Sequence, residues 1–261
     1  MKRKLRVFPT REELAFAASH HFLSVAQLSI MHRGRFMVAL SGGSTPKMMY
    51  QRLANPRMQD CLDWNCVHIF WGDERCVPPD DEASNYRMAR ENLLDLIPIP
   101  AANVHRFRAE LPPEAAAQEY EDEIRATFGM SAGSPPPVFD LVFLGLGSDG
   151  HTASLFPETT VLDEQERWAA AVYVDKLSAW RVTLTPSVLN AARDVVFLVA
   201  GEAKADVLQT VLRKEDAPKI YPAQLVQPKL QDPYWFVDSA AARKLTGRAQ
   251  DQHWHQKLFG R

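Results

Sequence analysis

The run "GLGSDGH" (145–151) places a histidine directly after an aspartate and a glycine. An imidazole titrates near neutral pH, so His151 can take a proton from water and return one to a leaving group. Asp149 can orient that ring or stabilise its protonated form. It can equally tie the loop through an Asx turn. A second candidate is "SGGST", residues Ser41, Gly42, Gly43, Ser44 and Thr45, which stands between the apolar run "RFMVAL" and the helix-like run "PKMMYQRLAN". Gly42 and Gly43 let a ligand approach the main chain, and the free amides of a helix start bind anions. The plainer reading is a tight turn whose serines only cap the helix. The spacing G-x-x-x-x-G-K-[ST] is absent, so a nucleoside triphosphate held with magnesium is not expected here.

Cations and carboxylates complete the set. "WGDER" carries Asp73, Glu74 and Arg75, either as a surface ion-pair cluster or with at least one member facing ligand. The planar fork of Arg75 suits a phosphate or carboxylate. Arg181 in "WRVTLT" and Lys204 in "GEAKADVL" are the other candidate cations. Lys204 falls in the first turn of a helix, where the dipole does not favour a cation, so its placement suggests an anion to bind. The competing reading is a solvated lysine. Gly145, Gly147 and Gly150 also spell G-x-G-x-x-G, but that fingerprint needs a full helix after it, and Pro157 would interrupt one. No nucleotide cofactor is expected. His253 and His255 alternate in "HWHQ", yet no cysteine or carboxylate set completes a site, so no metal is expected either. His20, His21, His32, His68 and His105 have no chemical context.

These residues need elements to bring them together. "LRVF" reads as a strand. A helix should follow, started by the capping box Thr10 to Glu13 and ended at Gly34, with Leu14, Ala18, Phe22, Val25 and Leu28 on its apolar face. "VHIFWGDER" reads as one strand, "SNYRMARENLLDLI" as a helix capped by Ser84, and "PPEAAAQEYEDEIRATFG" as a helix ended by Gly129. "VFDLVFLGLG" is a continuous apolar strand of the kind buried on both faces. "WRVTLT", "DVVFLVA" and "YWFVD" supply further strands, and "EAKADVLQTVL" and "SAAARKLTG" further helices. The alternation predicts an α/β class with a largely parallel sheet. "SGGST", "DER", "GSDGH" and "GEAK" all follow strands, so they should meet on the rim beyond the strand carboxyl ends, where such sheets bind ligands.

A chain of 261 residues, 46% hydrophobic and 24% charged, suits one globular domain spanning 1–261. With a net charge of -2 there is no basic surplus for a nucleic acid or an anionic membrane, so neither partner is expected. An anionic substrate must then be held by a few local cations and amides. Three cysteines without a C-x-x-C pair fit a reducing compartment. The basic N-terminus has no apolar core segment, and the longest purely apolar run, "VVFLVA", is too short to span a bilayer. The expectation is a cytoplasmic protein, a monomer or weak homodimer.

The blocks "LSGGSTP", "DERCVPPDDEASNY", "FDLVFLGLGSDGHTASLFP", "RVTLT" and "GEAKADVL", in that order, resemble the glucosamine-6-phosphate isomerase/6-phosphogluconolactonase family from about Val38 to Asp238. The wider group includes glucosamine-6-phosphate deaminase and ribose-5-phosphate isomerase. The resemblance implies a Rossmann-like layered α/β fold, its largely parallel central sheet flanked by helices, without a nucleotide and acting on a small sugar phosphate. It also implies hydrolysis of 6-phospho-D-glucono-1,5-lactone to 6-phospho-D-gluconate without a metal. His151 matches the family's base. Residues Ser41 to Thr45, with Arg75, Arg181 and Lys204, match positions that bind phosphate or the sugar acid. One departure is visible: "DKLSAWRVTLT" lacks prolines just before the arginine. Two other readings stand beside the lactonase. A deaminase would read Asn-Glu-Pro shortly after the histidine block, where this chain has "SLFP". A sugar-phosphate sensor would carry a DNA-binding helix pair, and no such segment is visible.

Overall fold

The computed structural model describes residues 4–213 and 217–245. Its central sheet has six strands: β1 (Lys4–Phe8), β2 (Phe36–Leu40), β3 (Val67–Trp71), β5 (Leu141–Leu144), β8 (Val195–Val199) and β9 (Tyr234–Asp238). They lie in the order β1-β9-β8-β5-β2-β3, every neighbouring pair parallel. Strands β2, β5 and β8 are buried at every position. Parallel strands covered on both faces need continuous apolar runs, and "FMVAL", "LVFL" and "VVFLV" are such runs.

The chain steps outward from β2 to β3, returns to β5 on the other side of β2, and then builds away through β8 and β9. The winding therefore reverses between β2 and β5. In open α/β sheets this reversal leaves a crevice beyond the strand carboxyl ends.

Helices α1 (Arg11–Arg33), α2 (Ser44–Leu53), α3 (Pro56–Gln59), α4 (Asn85–Asn92), α5 (Pro113–Phe128), α6 (Pro186–Ala191), α7 (Ala205–Leu212) and α8 (Ser239–Ala242) complete the chain. Thr10 caps α1 by accepting from the Glu13 amide at 3.2 Å, and Gly34 ends it in the left-handed conformation, φ 72°. The buried stripe of α1 runs Leu14, Ala18, Phe22, Ala26 and Ser29; Leu28, expected in it, is exposed. A residue every 3.6 positions reaches Ser29, and there the Arg33 guanidinium donates to the buried hydroxyl at 2.7 Å. Helix α1 is long and apolar enough to cross a membrane, but this stripe packs into the core of the fold.

The sequence reading needs one correction that matters for the site. "VHIFWGDER" is not one strand. The chain leaves the central sheet at Gly72, and β4 (Asp73–Arg75) enters a second sheet, antiparallel, in the order β4-β7-β6, with β6 at Ala169–Val174 and β7 at Ala179–Leu184. Strand β7, which carries Arg181, thus lies outside the parallel sheet, and β6 was not anticipated. Gly72 is the hinge between the sheets. Its amide donates to Leu40 O of β2 at 2.8 Å, and its carbonyl accepts from the Leu184 amide of β7 at 2.8 Å.

Candidate active site

Four segments end on one rim. Ser41–Thr45 follows β2, Asp73–Arg75 follows β3, Gly145–His151 follows β5 and Gly201–Lys204 follows β8. Strands β2, β5 and β8 are adjacent, so three of the four flank the crevice directly.

Ser41 is locked from below by Tyr50 of α2. The Ser41 amide donates to the Tyr50 hydroxyl at 3.2 Å, and that hydroxyl donates to Ser41 O at 2.7 Å. The Ser41 hydroxyl itself is buried without a hydrogen-bond partner. Gly43 sits at the N-cap of α2 with φ 108°, a conformation that side chains avoid, and no side chain caps the helix. The serines are therefore not caps. The amides of Ser44 and Thr45 precede the first intrahelical bond, from the Lys47 amide to Gly43 O at 3.1 Å. Directly over Gly42 lies Asn85: a Cβ on Gly42 would stand 1.9 Å from Asn85 Oδ1. The Asn85 side-chain amide donates to Asp73 O at 3.0 Å, which fastens β4 against the Gly42 turn.

Strand β4 alternates its side chains. Glu74 points inward, 3% exposed, and its carboxylate accepts from the amides of Arg75, Asn85 and Tyr86, each at 2.8 Å, and from the Ser84 hydroxyl at 3.1 Å. It thereby closes the N-terminus of α4, and burial raises its pKa despite those four donors. Asp73 and Arg75 share the opposite face. Across the ladder they face Thr183 and Arg181 respectively. Two arginines directly opposed repel each other. The Arg181 pKa is lowered by burial first and by Arg75 next. Arg75 donates to Ala83 O and Arg181 to Trp180 O, and among the described residues neither makes an ion pair. Lys204 is half-buried, its pKa lowered by that burial, and it too makes no ion pair among the described residues.

His151 is held from several sides. Its Nδ1–H donates to Asp149 Oδ1 at 2.5 Å, and the same oxygen accepts the His151 amide at 3.2 Å. One carboxylate oxygen thus contacts both the ring and the backbone of the turn. A carboxylate only accepts, so the proton is on Nδ1 and the free lone pair is on Nε2. Phe156 stacks on the imidazole with centroids 4.1 Å apart. The ring also lies over Gly147, where a Cβ would meet Nδ1 at 2.0 Å, so only glycine admits this pose. No helix follows the glycines, in line with the exclusion of a dinucleotide fingerprint.

The turn continues through Ala153, left-handed at φ 46°, to Ser154. The Ser154 hydroxyl donates to Asp73 Oδ2 at 2.7 Å, and its amide to Thr183 Oγ1 at 3.2 Å. Burial pushes the His151 pKa down to about 4. Asp73 opposes that shift, and Lys204, Arg181 and Arg75 reinforce it. One imidazole therefore feels all four of these charged residues, three of them cations.

Sequence reasoning missed Asn85, Ser154, Phe156 and Lys176, whose ammonium pairs with Asp149. Asn85 was absorbed into a helix start. Lys176 had no local signal, because it reaches the site from the turn between β6 and β7. Among the described residues, no group of three or more His, Cys, Asp or Glu side chains is placed to hold a metal ion. His253 and His255 lie outside the described residues.

A parallel sheet whose winding reverses between β2 and β5, flanked by helices and with a histidine–carboxylate pair in the loop after β5, defines the class as α/β. The chain belongs to the family of glucosamine-6-phosphate isomerases/6-phosphogluconolactonase, whose model matches residues 9–235. It is 44% identical to a 6-phosphogluconolactonase of Synechocystis over 83% of this chain and 88% of that protein. It is 40% identical to the Homo sapiens 6-phosphogluconolactonase over 93% of each. Among solved structures, the 6-phosphogluconolactonase from Trypanosoma cruzi aligns with a TM-score of 0.83 at 32% identity, covering 94% of this chain and 98% of that one. A monomeric glucosamine-6-phosphate deaminase shares the fold, with a TM-score of 0.76 at 17% identity.

Proposed function

We propose that this rim hydrolyses 6-phospho-D-glucono-1,5-lactone to 6-phospho-D-gluconate, the lactonase step of the pentose phosphate pathway, with His151 as general base. The observation that carries the residue assignment is the set Arg75, Arg181 and Lys204, without ion pairs among the described residues, around the His151–Asp149 pair. Cations gathered without acidic partners are unfavourable in the free protein and suited to a dianion.

A lactone is an ester. Water adds to C1, and His151 Nε2 takes its proton as the new C–O bond forms. The carbonyl oxygen becomes an oxyanion, and Arg75 and Arg181 supply positive charge for it. Collapse of that intermediate breaks the bond from C1 to the ring oxygen, and the proton on Nε2 passes to that oxygen. The products are a carboxylic acid, which ionises, and a free hydroxyl. Asp149 holds the tautomer throughout and stabilises the transient imidazolium. Asp73, fixed by Ser154 and Asn85, accepts from a sugar hydroxyl. The phosphate docks at Ser41–Thr45, where the amides of Ser44 and Thr45 and the unpartnered Ser41 hydroxyl are free to donate, with Lys204 opposite. Remote binding of this kind fixes the ring for attack.

The substrate charge also tunes the base. Burial, reinforced by the three cations, holds His151 neutral in the free protein, and an incoming dianion offsets the cations, so the imidazole becomes more basic when substrate is bound. We read residues 1–261 as a single domain, a monomer or weak homodimer acting in the cytoplasm.

The test compares phosphorylated and unphosphorylated gluconolactone, corrected for spontaneous hydrolysis. The wild-type protein should prefer the phosphorylated lactone strongly in kcat/KM, and Lys204→Ala should shrink that preference. Equal turnover of both lactones would mean that the Ser41–Thr45 turn is no phosphate site.

A further inference from the structure

We propose that Lys176 is a positioning residue that holds Asp149, offsets its charge, and so keeps the free nitrogen of His151 available to substrate. The proposal rests on the reading of His151 as the base. Its basis is a division of labour on one carboxylate. Asp149 Oδ1 accepts from His151, and Asp149 Oδ2 pairs with the Lys176 ammonium. That ammonium also stands 4.7 Å from the centroid of Phe156, the ring stacked on the imidazole. Lys176 therefore touches both side chains that grip His151, one by charge and one by a cation–π contact.

The placement depends on the fold. Lys176 lies in the tight turn Asp175–Leu177 between β6 and β7, closed by Ser178 at φ 47°. This turn belongs to the small antiparallel sheet, whereas Asp149 and His151 belong to the loop after β5 of the parallel sheet. A lysine on one sheet thus completes a catalytic pair on the other. An ordinary surface ion pair would do no more than tie the hairpin down. The two readings differ in what happens to the proton affinity of His151.

The charges that reach this imidazole come from every side: Asp149 on its own loop, Asp73 and Arg75 from β4, Arg181 from β7, Lys204 after β8, and Lys176 through Asp149. A carboxylate in contact with Nδ1 favours the imidazolium. A lysine on the carboxylate's other oxygen cancels part of that pull. Removing Lys176 leaves Asp149 uncompensated, so His151 should protonate at higher pH. With Lys176 about half exposed, screening limits the effect.

The experiment is the pH dependence of kcat at saturating substrate for the wild type, Lys176→Met, Lys176→Arg and His151→Asn. Methionine keeps an unbranched side chain over Phe156 and removes the charge. The expected result is an acid limb moved upward by roughly half a unit to one unit in Lys176→Met. Its deficit relative to wild type should therefore grow on the acid limb, by roughly 3- to 10-fold over the deficit at neutral pH. Lys176→Arg should restore the wild-type limb. A Lys176→Met deficit that is the same at every pH would show a structural tie and overturn the proposal, as would no deficit at all. Survival of activity in His151→Asn would instead remove the underlying assignment of the base.

Discussion

In the proposed mechanism His151 is the residue on which the chemistry turns, and its environment gives two measurable consequences. His151→Asn should keep the fold, because asparagine retains a polar group near Asp149, and should lose roughly 10²- to 10⁴-fold in kcat. A variant within threefold of wild type, after subtraction of spontaneous hydrolysis, would refute the assignment. The second consequence is in stability. An unfolded histidine protonates near 6.5, whereas the folded His151 resists until about pH 4. Protonation therefore favours the unfolded chain, so this contribution is complete above about pH 6.5 and is lost as pH falls towards 4. His20, His68 and His105 are also lowered and add to the same slope, so the comparison must be between wild type and His151→Asn. Chemical denaturation at pH 7 and pH 5 should show a smaller acid loss in the variant; equal losses would contradict the burial of His151. The Asp-Gly-His turn was legible as chemistry because three adjacent residue types point to it. The direction of the pKa was not legible, since it depends on Phe156 and on cations from three other segments.

At the scale of elements, Asn85 links the Ser41–Thr45 turn, the proposed phosphate site, to β4. Adding a Cβ at Gly42 drives it into Asn85 Oδ1, and Asn85, 3% exposed, has no free space to retreat into. Gly42→Ala should therefore displace Asn85, break its bond to Asp73 O and lower stability by about 1–3 kcal/mol. Both the phosphate turn and Asp73 would move, so kcat/KM should fall at least tenfold. Asn85→Ala removes the obstacle, so the double variant should be no worse than Asn85→Ala alone. Additive losses in kcat/KM and melting temperature would mean that the two positions do not meet. None of this was readable from the chain. "SGGST" declared its glycines, but Gly42 serves an asparagine 43 positions later as well as any ligand. Strand β4 was misjoined to β3 for a related reason. "VHIFW" and "DER" are contiguous and both extended, and only the two hydrogen bonds at Gly72 show that they belong to different sheets. Strand β6, "AAAVYV", opens on three alanines and carries no strong strand signal of its own.

Across the whole molecule the charge is -2, yet Arg75, Arg181 and Lys204 gather around one imidazole, and among the described residues none of them makes an ion pair. The net charge was legible and directed attention to local cations; their clustering depends on the strand order and on the antiparallel register Arg75 to Arg181. That clustering sets function against stability. In the free protein the opposed arginines repel, and burial depresses Arg181 and Lys204 further. Arg181→Met should relieve the repulsion while keeping much of the apolar stem, so the unliganded variant should melt at least as high as wild type, although its kcat/KM should fall by tenfold or more. Ligand should reverse the order. A dianion that binds only the folded state stabilises it by about 2.7 kcal/mol at a hundred times its Kd. Adding 6-phosphogluconate, the reaction product, should therefore raise the melting temperature of wild type by several degrees and that of Arg181→Met by much less. Gluconate, which lacks the phosphate, should do little to either. The melting curves distinguish the outcomes cleanly. A variant that is less stable than wild type without ligand, and equally stabilised by 6-phosphogluconate, would show that Arg181 is a structural residue and that the opposed arginines are not poised for an anion.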